Sequence, residues 1–248
     1  MEPVFRTLEI AAHAVVRATG TRITYHGLDH LPTSGGAVIA INHTGYVDWL
    51  PAALAAENRG RRMRFMIKAE MADVSVVGWL IRHTKTIPVN RQAGAEAFAA
   101  AVQALRDGEI VGVYPEATIS RSFELKEFKT GAARMALQAQ VPIVPLVVWG
   151  AHRKWTKDHP RALGRTKTPV SVAVGDPLAP EGSVEAVDAA LRAAMTRLLH
   201  DVQAGYPRPK GAFWVPRRLG GSAPTPEQAK ILDAEELAER ARRRAERP

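Results

Sequence analysis

The feature that most constrains this chain is a regular alternation of short apolar runs with segments of helical character. The apolar runs fall at residues 37–41, 64–67, 86–89, 110–114, 143–149 and 170–174. Strands that alternate with helices need crossover connections, and crossovers lay strands side by side in parallel with helices on the faces. A strand covered on both faces has no polar side, and the run Ala-Val-Ile-Ala-Ile at 37–41 fits that requirement. The expected fold class is therefore α/β, with a largely parallel central sheet covered by helices on both faces. Pro88 removes a ladder donor from the 86–89 run, which predicts an edge strand or a bulge there.

The remaining segments set the organisation. Residues 70–82 read as a helix despite Gly78, the alanine-rich stretch 93–106 as a helix stopped at Gly108, and 131–140 as another. Ser183 caps a long helix whose stripe is Val184, Val187, Leu191, Met195, Leu198 and Val202, ending near Gly205. At the amino end, Val4, Phe5, Leu8, Ala11, Ala12, Val15 and Val16 recur at helical spacing. This amphipathic helix, residues 1–20, either packs on its own domain or contacts a membrane interface. Residues 21–205 form the expected α/β domain. Gly, Pro and basic residues dominate 206–226, and charges of both signs fill 227–248, so 206–248 reads as a linker and charged tail with one polar helix, partly without fixed structure.

At 248 residues and 46% hydrophobic content the chain can bury one sizeable core. Its 34 Lys and Arg against 25 Asp and Glu leave a formal charge of +9, which favours anionic partners. The basic residues are dispersed and no nucleic-acid motif accompanies them, so nucleic acid is not an expected partner. The absence of cysteine excludes disulfides, thiolate metal sites and a thiol nucleophile. Glu2, Arg6, Glu9 and Arg17 interrupt any secretory pattern, and no apolar run approaches the ~18 residues of a membrane span. There is no Gly-x-Ser-x-Gly elbow for a serine hydrolase, and no His-Glu-x-x-His spacing for a metal.

Between the run at 37–41 and the apolar stretch from Trp49 lies a turn, residues 42–48, holding His43 and Asp48. A histidine at the carboxyl end of a strand faces the crevice where open α/β sheets bind ligands. A carboxylate on its second ring nitrogen would fix the tautomer and support the imidazolium, and Asp48 can supply one. The alternative is that Asp48 merely caps the next helix. Other strand ends carry Lys68, then Asn90 and Arg91, then residues 115–121 (Pro-Glu-Ala-Thr-Ile-Ser-Arg). In a parallel sheet these share an edge with His43, gathering a base, cations, a carboxylate and hydroxyls as a pocket for a phosphate-bearing substrate requires.

Asn42 and His43 with Asp48, then 87–91 (Ile-Pro-Val-Asn-Arg), 114–120 (Tyr-Pro-Glu-Ala-Thr-Ile-Ser) and 141–145 (Val-Pro-Ile-Val-Pro), stand in the order and at about the spacing of the four blocks of the glycerolipid acyltransferases. Over residues 23–176 the chain resembles that family, and its bacterial 1-acylglycerol-3-phosphate acyltransferases in particular. The resemblance implies a glycerol-phosphate acyltransferase-like fold. It also implies transfer of a fatty acyl group to the free hydroxyl of 1-acylglycerol 3-phosphate, making phosphatidic acid in phospholipid biosynthesis. The acyl donor would be acyl-CoA or acyl-carrier protein as co-substrate, with no bound cofactor and no metal. His43 would be the general base and Asp48 its orienting carboxylate. Asn42, Lys68, Arg91, Glu116, Thr118, Ser120 and Arg121 would bind the acceptor, and Val141, Pro142 and Pro145 would shape the acyl-donor side. Glycerol 3-phosphate, another lysophospholipid or a phosphoglycolipid stay open as acceptors, and a non-catalytic peripheral lipid-binding protein is the reading from another class.

Two departures from the family accompany these matches. The third block usually reads Glu-Gly-Thr-Arg, whereas here Ala117 and Ile119 replace the glycine and the arginine, leaving Arg121 as the nearest cation. No spanning segment is present, so the expected location is peripheral, on the cytoplasmic face of the cell membrane. The first helix, residues 74–81 and Arg59, Arg61 and Arg62 would meet an anionic membrane surface. Backbone amides near Gly45 and in the Glu116 loop are candidate oxyanion donors.

Overall fold

A computed structural model describes residues 3–69, 83–89 and 94–246. The elements run α1 (Pro3–Ala18), β1 (Arg22–His26), β2 (Ala37–Ile41), α2 (Trp49–Glu57), β3 (Met63–Lys68), β4 (Ile87–Val89), α3 (Gly94–Arg106), β5 (Ile110–Val113), α4 (Gly131–Ala139), β6 (Ile143–Trp149), β7 (Pro169–Val174), α5 (Val184–Gly205) and α6 (Pro226–Ala245). The helix expected at 70–82, with its membrane-facing stretch 74–81, and Asn90 and Arg91 lie outside the described residues.

The strands form one mixed sheet in the order β1-β7-β6-β2-β5-β3-β4. From β6 to β4 all neighbours are parallel, whereas β7 pairs antiparallel with β6 and parallel with β1. Pro88 sits on the edge strand β4, where a missing donor interrupts no outer ladder. Pro145 lies inside β6; it has no N–H to give, and its carbonyl accepts from Gly175 N–H at 2.9 Å.

Both faces of β2 are sealed, and its alternate residues serve different layers. Val38 and Ala40 pack in one cluster with Leu105 of α3, Ala133 of α4 and Leu191 of α5. Ala37, Ile39 and Ile41 pack in the other with Ala52, Ala55 and Ala56 of α2. All five β2 residues are fully buried, and the larger of them contribute about 1.5–3 kcal/mol each. The strand that carries the candidate site is therefore firmly anchored on both faces.

Helix α1 packs beside α2, with His13 Nε2 2.8 Å from Glu57 and Arg62 Nε donating to Glu9 at 3.0 Å. Arg59 donates to the Leu31 carbonyl, and Arg61 donates to the carbonyls of Pro32, Gly35 and Gly108. The three arginines expected to face a membrane thus tie loops and helix together in this structure. Ile10 and Val15 remain more than half exposed on the outer side of α1.

The carboxyl-terminal region is more ordered than its composition suggests. Tyr206, Trp214, Val215 and Ala223 join Phe123, Trp149 and Leu199 in a third buried cluster. A few large apolar side chains suffice to dock a segment that is otherwise Gly, Pro and Arg, because each buried aromatic removes so much area from water. Helix α6 follows, opened by a capping box between Thr225 and Gln228 with Pro226 in its first turn.

Candidate active site

The carboxyl ends of β2, β5 and β6 meet on one edge. There Asn42 extends the ladder with its side chain: Nδ2 donates to the Val148 carbonyl at 3.1 Å, and Val148 N–H donates to Oδ1 at 2.7 Å. Asn42 is fully buried and spent on β6, a structural use in place of the expected contact with substrate.

His43 follows, its side chain one-fifth exposed. The Tyr114 ring stacks on it with centroids 4.1 Å apart, and Nδ1 lies 3.4 Å from Asp48 Oδ2. Asp48 occupies the N-cap position of α2 but makes no side-chain cap hydrogen bond. Its Oδ2 instead accepts the backbone N–H groups of Thr44 and Gly45, each at 2.7 Å. The carboxylate is folded back into its own turn, so the capping alternative does not describe it. Burial pushes the Asp48 carboxyl above its ordinary range, against the pull of His43 and the two amides. Nδ1–H directed at Asp48 leaves Nε2 as the ring nitrogen free to accept a proton.

Tight backbone approach holds this turn. A side chain at Gly45 would meet the Trp155 carbonyl and the His152 backbone at 2.8 Å. Tyr46 N–H donates to the Trp155 carbonyl, and Thr156 Oγ1 donates to the Thr44 carbonyl at 2.7 Å. His152 beneath the turn is buried, and desolvation holds its imidazole down at about 3, hence neutral. Its Nε2 lies 3.2 Å from the Trp214 carbonyl, which can only accept, so Nε2 carries the proton.

Glu116, after β5, is the second support of His43. Its Oε1 accepts the His43 N–H at 2.8 Å and its Oε2 accepts the Lys126 N–H at 2.9 Å. Both carboxylate oxygens therefore hold backbone, where a substrate contact was expected. Desolvation raises the Glu116 carboxyl to about 7, against the two amides. Ser120 is also spent internally, with Oγ donating to the Glu124 carbonyl at 2.7 Å and its N–H to the His43 carbonyl at 2.8 Å. Thr118 Oγ1 accepts from Lys126 Nζ at 2.7 Å. The amides of Thr44, Gly45, Tyr46, Ala117, Thr118 and Ser120 all have protein acceptors, which takes them out of the set of free oxyanion donors.

The two departures in this block have a structural account. Ala117 adopts φ 58°, the left-handed conformation that glycine takes at lower cost. Ile119 is 4% exposed, so an arginine there would have to bury its charge. Arg121 is also buried, but paired: it donates to Asp158, and to Asp233 and Glu236 of α6, the last at 2.9 Å. Lys157 pairs with the same two α6 carboxylates, and Lys126 with Asp233. Val141, Pro142 and Pro145 were expected on the acyl-donor side. Val141 and Pro142 precede β6, at the level of Val38, roughly 15 Å along the sheet from His43 at about 3.3 Å per residue. Pro145 pairs with Ala40 in mid-sheet. These three belong to the core and the opposite edge. Lys68 ends β3 on the edge shared with His43.

Tyr114, His152, Thr156, Lys126 and Lys157 were not singled out from sequence. Each acts through a partner distant along the chain, and only the adjacency of strand ends could have revealed it.

The fold has a counterpart among solved structures. It matches the crystal structure of the 1-acyl-sn-glycerophosphate (LPA) acyltransferase PlsC from Thermotoga maritima with a TM-score of 0.64 at 19% identity, over 79% of this chain and 81% of that one. Residues 22–149 match the Acyltransferase family model, and the chain belongs to that family. The 1-acyl-sn-glycerol-3-phosphate acyltransferase of Bacillus subtilis is 29% identical over 129 residues, 52% of this chain and 63% of that protein. The lyso-ornithine lipid O-acyltransferase of Rhodobacter capsulatus is 32% identical over 125 residues, 49% of this chain and 42% of that protein. The chain thus spans less than two thirds of the length of these curated relatives.

Proposed function

We propose that this protein transfers a fatty acyl group from acyl-CoA or acyl-carrier protein to the free hydroxyl of 1-acylglycerol 3-phosphate, yielding phosphatidic acid. The observation that carries the reading is the His43–Asp48 turn, with its free Nε2, inside the stretch matched to the acyltransferase family. Nε2 takes the acceptor hydroxyl proton as that oxygen attacks the thioester carbonyl. The tetrahedral intermediate collapses, the C–S bond breaks, and the thiolate leaves, recovering the proton from the imidazolium. Asp48 supports the transient positive charge on the ring. Each atom is accounted for without an acyl-enzyme.

The test is phosphatidic acid formation by the purified protein from oleoyl-CoA and 1-acylglycerol 3-phosphate. His43→Ala should cut kcat by about a thousandfold or more with the fold intact. Near-normal turnover in that variant would remove His43 as the base.

A second reading, the same chemistry on another lysolipid, is favoured by one observation: the buried Ile119 stands where the family block carries a cation. Glycerol 3-phosphate, other lysophospholipids and lyso-ornithine lipid in the same assay separate the two. Among the described residues no helix is long and apolar enough to cross a membrane. Exposed Ile10 and Val15 on α1, with Tyr46 and Trp49 beside the turn, suit a peripheral contact with an anionic bilayer. Liposome flotation at rising salt tests that contact, and failure to float with anionic vesicles at low salt refutes it.

A further inference from the structure

Helix α6 presents an unusual stripe to the body of the protein. Ala229, Asp233 and Glu236, spaced i, i+4, i+7, are its inward positions, and of these only Ala229 is buried and apolar. Ile231 and Leu237 point to solvent, 61% and 58% exposed. The helix is therefore held by charge where a docked helix ordinarily buries an apolar face. Its two carboxylates meet Arg121, Lys126 and Lys157, and Asp158 completes the cluster. Three cations of the body thus meet Asp158 and the two α6 carboxylates, and Arg240 of α6 itself also pairs with Glu236. With α6 absent, two positive charges would stand uncompensated.

This cluster lies at the catalytic edge. Arg121 directly follows Ser120, whose N–H holds the His43 carbonyl, and Lys126 follows the loop that Glu116 ties to His43 N–H. A cleft of about 550 Å³ is lined on the side of the body by Tyr46, three residues beyond His43, with Arg121, Lys157 and Asp158, and on the side of α6 mainly by the carboxylates Glu235, Glu236 and Glu239.

We infer that Arg121, Lys126 and Lys157 form the subsite for the phosphate monoester of the acceptor, and that Asp233 and Glu236 occupy it as an internal stand-in which the acceptor displaces. The inference deepens the acyltransferase reading above and rests on it for the chemistry of the acceptor. The exchange conserves charge: a phosphate monoester carries about −1.5 to −2 at neutral pH, close to that of the two carboxylates it replaces. Its oxygens suit the planar fork of Arg121 flanked by two ammonium groups. Because the phosphate takes the place of the carboxylates, Arg121 is not left buried and unpaired, and a helix that buries Ala229 and little other apolar surface can lift without unfolding the domain.

The experiment is amide hydrogen exchange over residues 226–245 of the full chain. It uses glycerol 3-phosphate, micellar 1-acylglycerol 3-phosphate, lysophosphatidylcholine, and sodium chloride at matched ionic strength. Either phosphate monoester should deprotect α6 saturably, while the phosphodiester and the salt do not. Release by both monoesters marks the phosphate as sufficient, and release by the lipid alone adds the acyl chain to the requirement. Unchanged protection with both, or equal release by salt, overturns the inference. Asp233→Asn combined with Glu236→Gln should bind glycerol 3-phosphate about tenfold tighter, because the competent state no longer competes with a closed one; Lys157→Ala should weaken the same binding. The readout needs no turnover. Displacement without acyl transfer would sink the proposed function alone, whereas saturating acyl transfer with α6 still protected would sink this inference alone.

Discussion

The backbone N–H of His43 is held at 2.8 Å by the carboxylate of Glu116, seventy-three residues further along the chain. The same carboxylate holds Lys126 N–H, so one buried side chain joins the ends of β2 and β5. Burial lifts its carboxyl from 4.5 to about 7. The folded state then binds more protons than the unfolded one between those values, so stability falls as pH rises through that window. From pH 4.5 to 7 this group alone should remove roughly 3 kcal/mol, at about 1.4 kcal/mol per pH unit. Urea unfolding across that range checks it, with Glu116→Gln as the variant that lacks this slope. An unaltered slope in the variant would assign the effect elsewhere.

Asp48→Asn keeps the size of the side chain but removes the charge facing the His43 imidazolium. The expected result is a fall in kcat of roughly a hundredfold to ten-thousandfold with little change in KM, since the charge is needed only once the proton has moved. Steady-state kinetics on a variant with unchanged circular dichroism would show it.

Asn42→Ala leaves both the N–H and the carbonyl of Val148 without partners inside the sheet. The predicted loss is about 2–4 kcal/mol, from two buried groups at about 1–2 kcal/mol each. Denaturant midpoints measure this loss, which should appear at constant m.

Ala117→Gly addresses the left-handed residue in the Glu116 loop. An L side chain there costs about 1–2 kcal/mol, and the extra freedom of glycine when unfolded returns part of it. A net gain of about 0.5–1 kcal/mol is expected. A rise in Tm would register it, and a fall would mean that the Cβ makes a contact worth more than the strain.

Trp214→Ala should cost about 3 kcal/mol or more, because the ring is buried between Tyr206 and His152. A loss of that size in chemical denaturation would confirm that residues 206–225 belong to the folded unit.

Local pattern sufficed for the α/β class, the buried strand 37–41, the edge position of Pro88 and the placing of His43 and Asp48 in one turn. These depend on side-chain period, on a missing donor and on residues close in sequence. Family blocks added the chemistry. Roles that depend on a distant partner were not legible. Asn42, Glu116 and Ser120 carry the polar groups of a binding site, yet their hydrogen bonds run to backbone at Val148, Lys126 and Glu124. Val141 and Pro142 share a block with the site and lie at the other end of the sheet. Arg121 looked like a free cation until α6, more than a hundred residues later, supplied its carboxylates. The sequence by itself determined the alternation of strands and helices, which follows from side-chain period, and put His43 and Asp48 in one turn; spacing alone left Asp48 free to be a helix cap, and the family blocks implied its pairing with His43. Only the tertiary structure decided which polar residues remain available to a ligand, because a donor or acceptor is free or spent according to what the fold brings within about 3 Å of it.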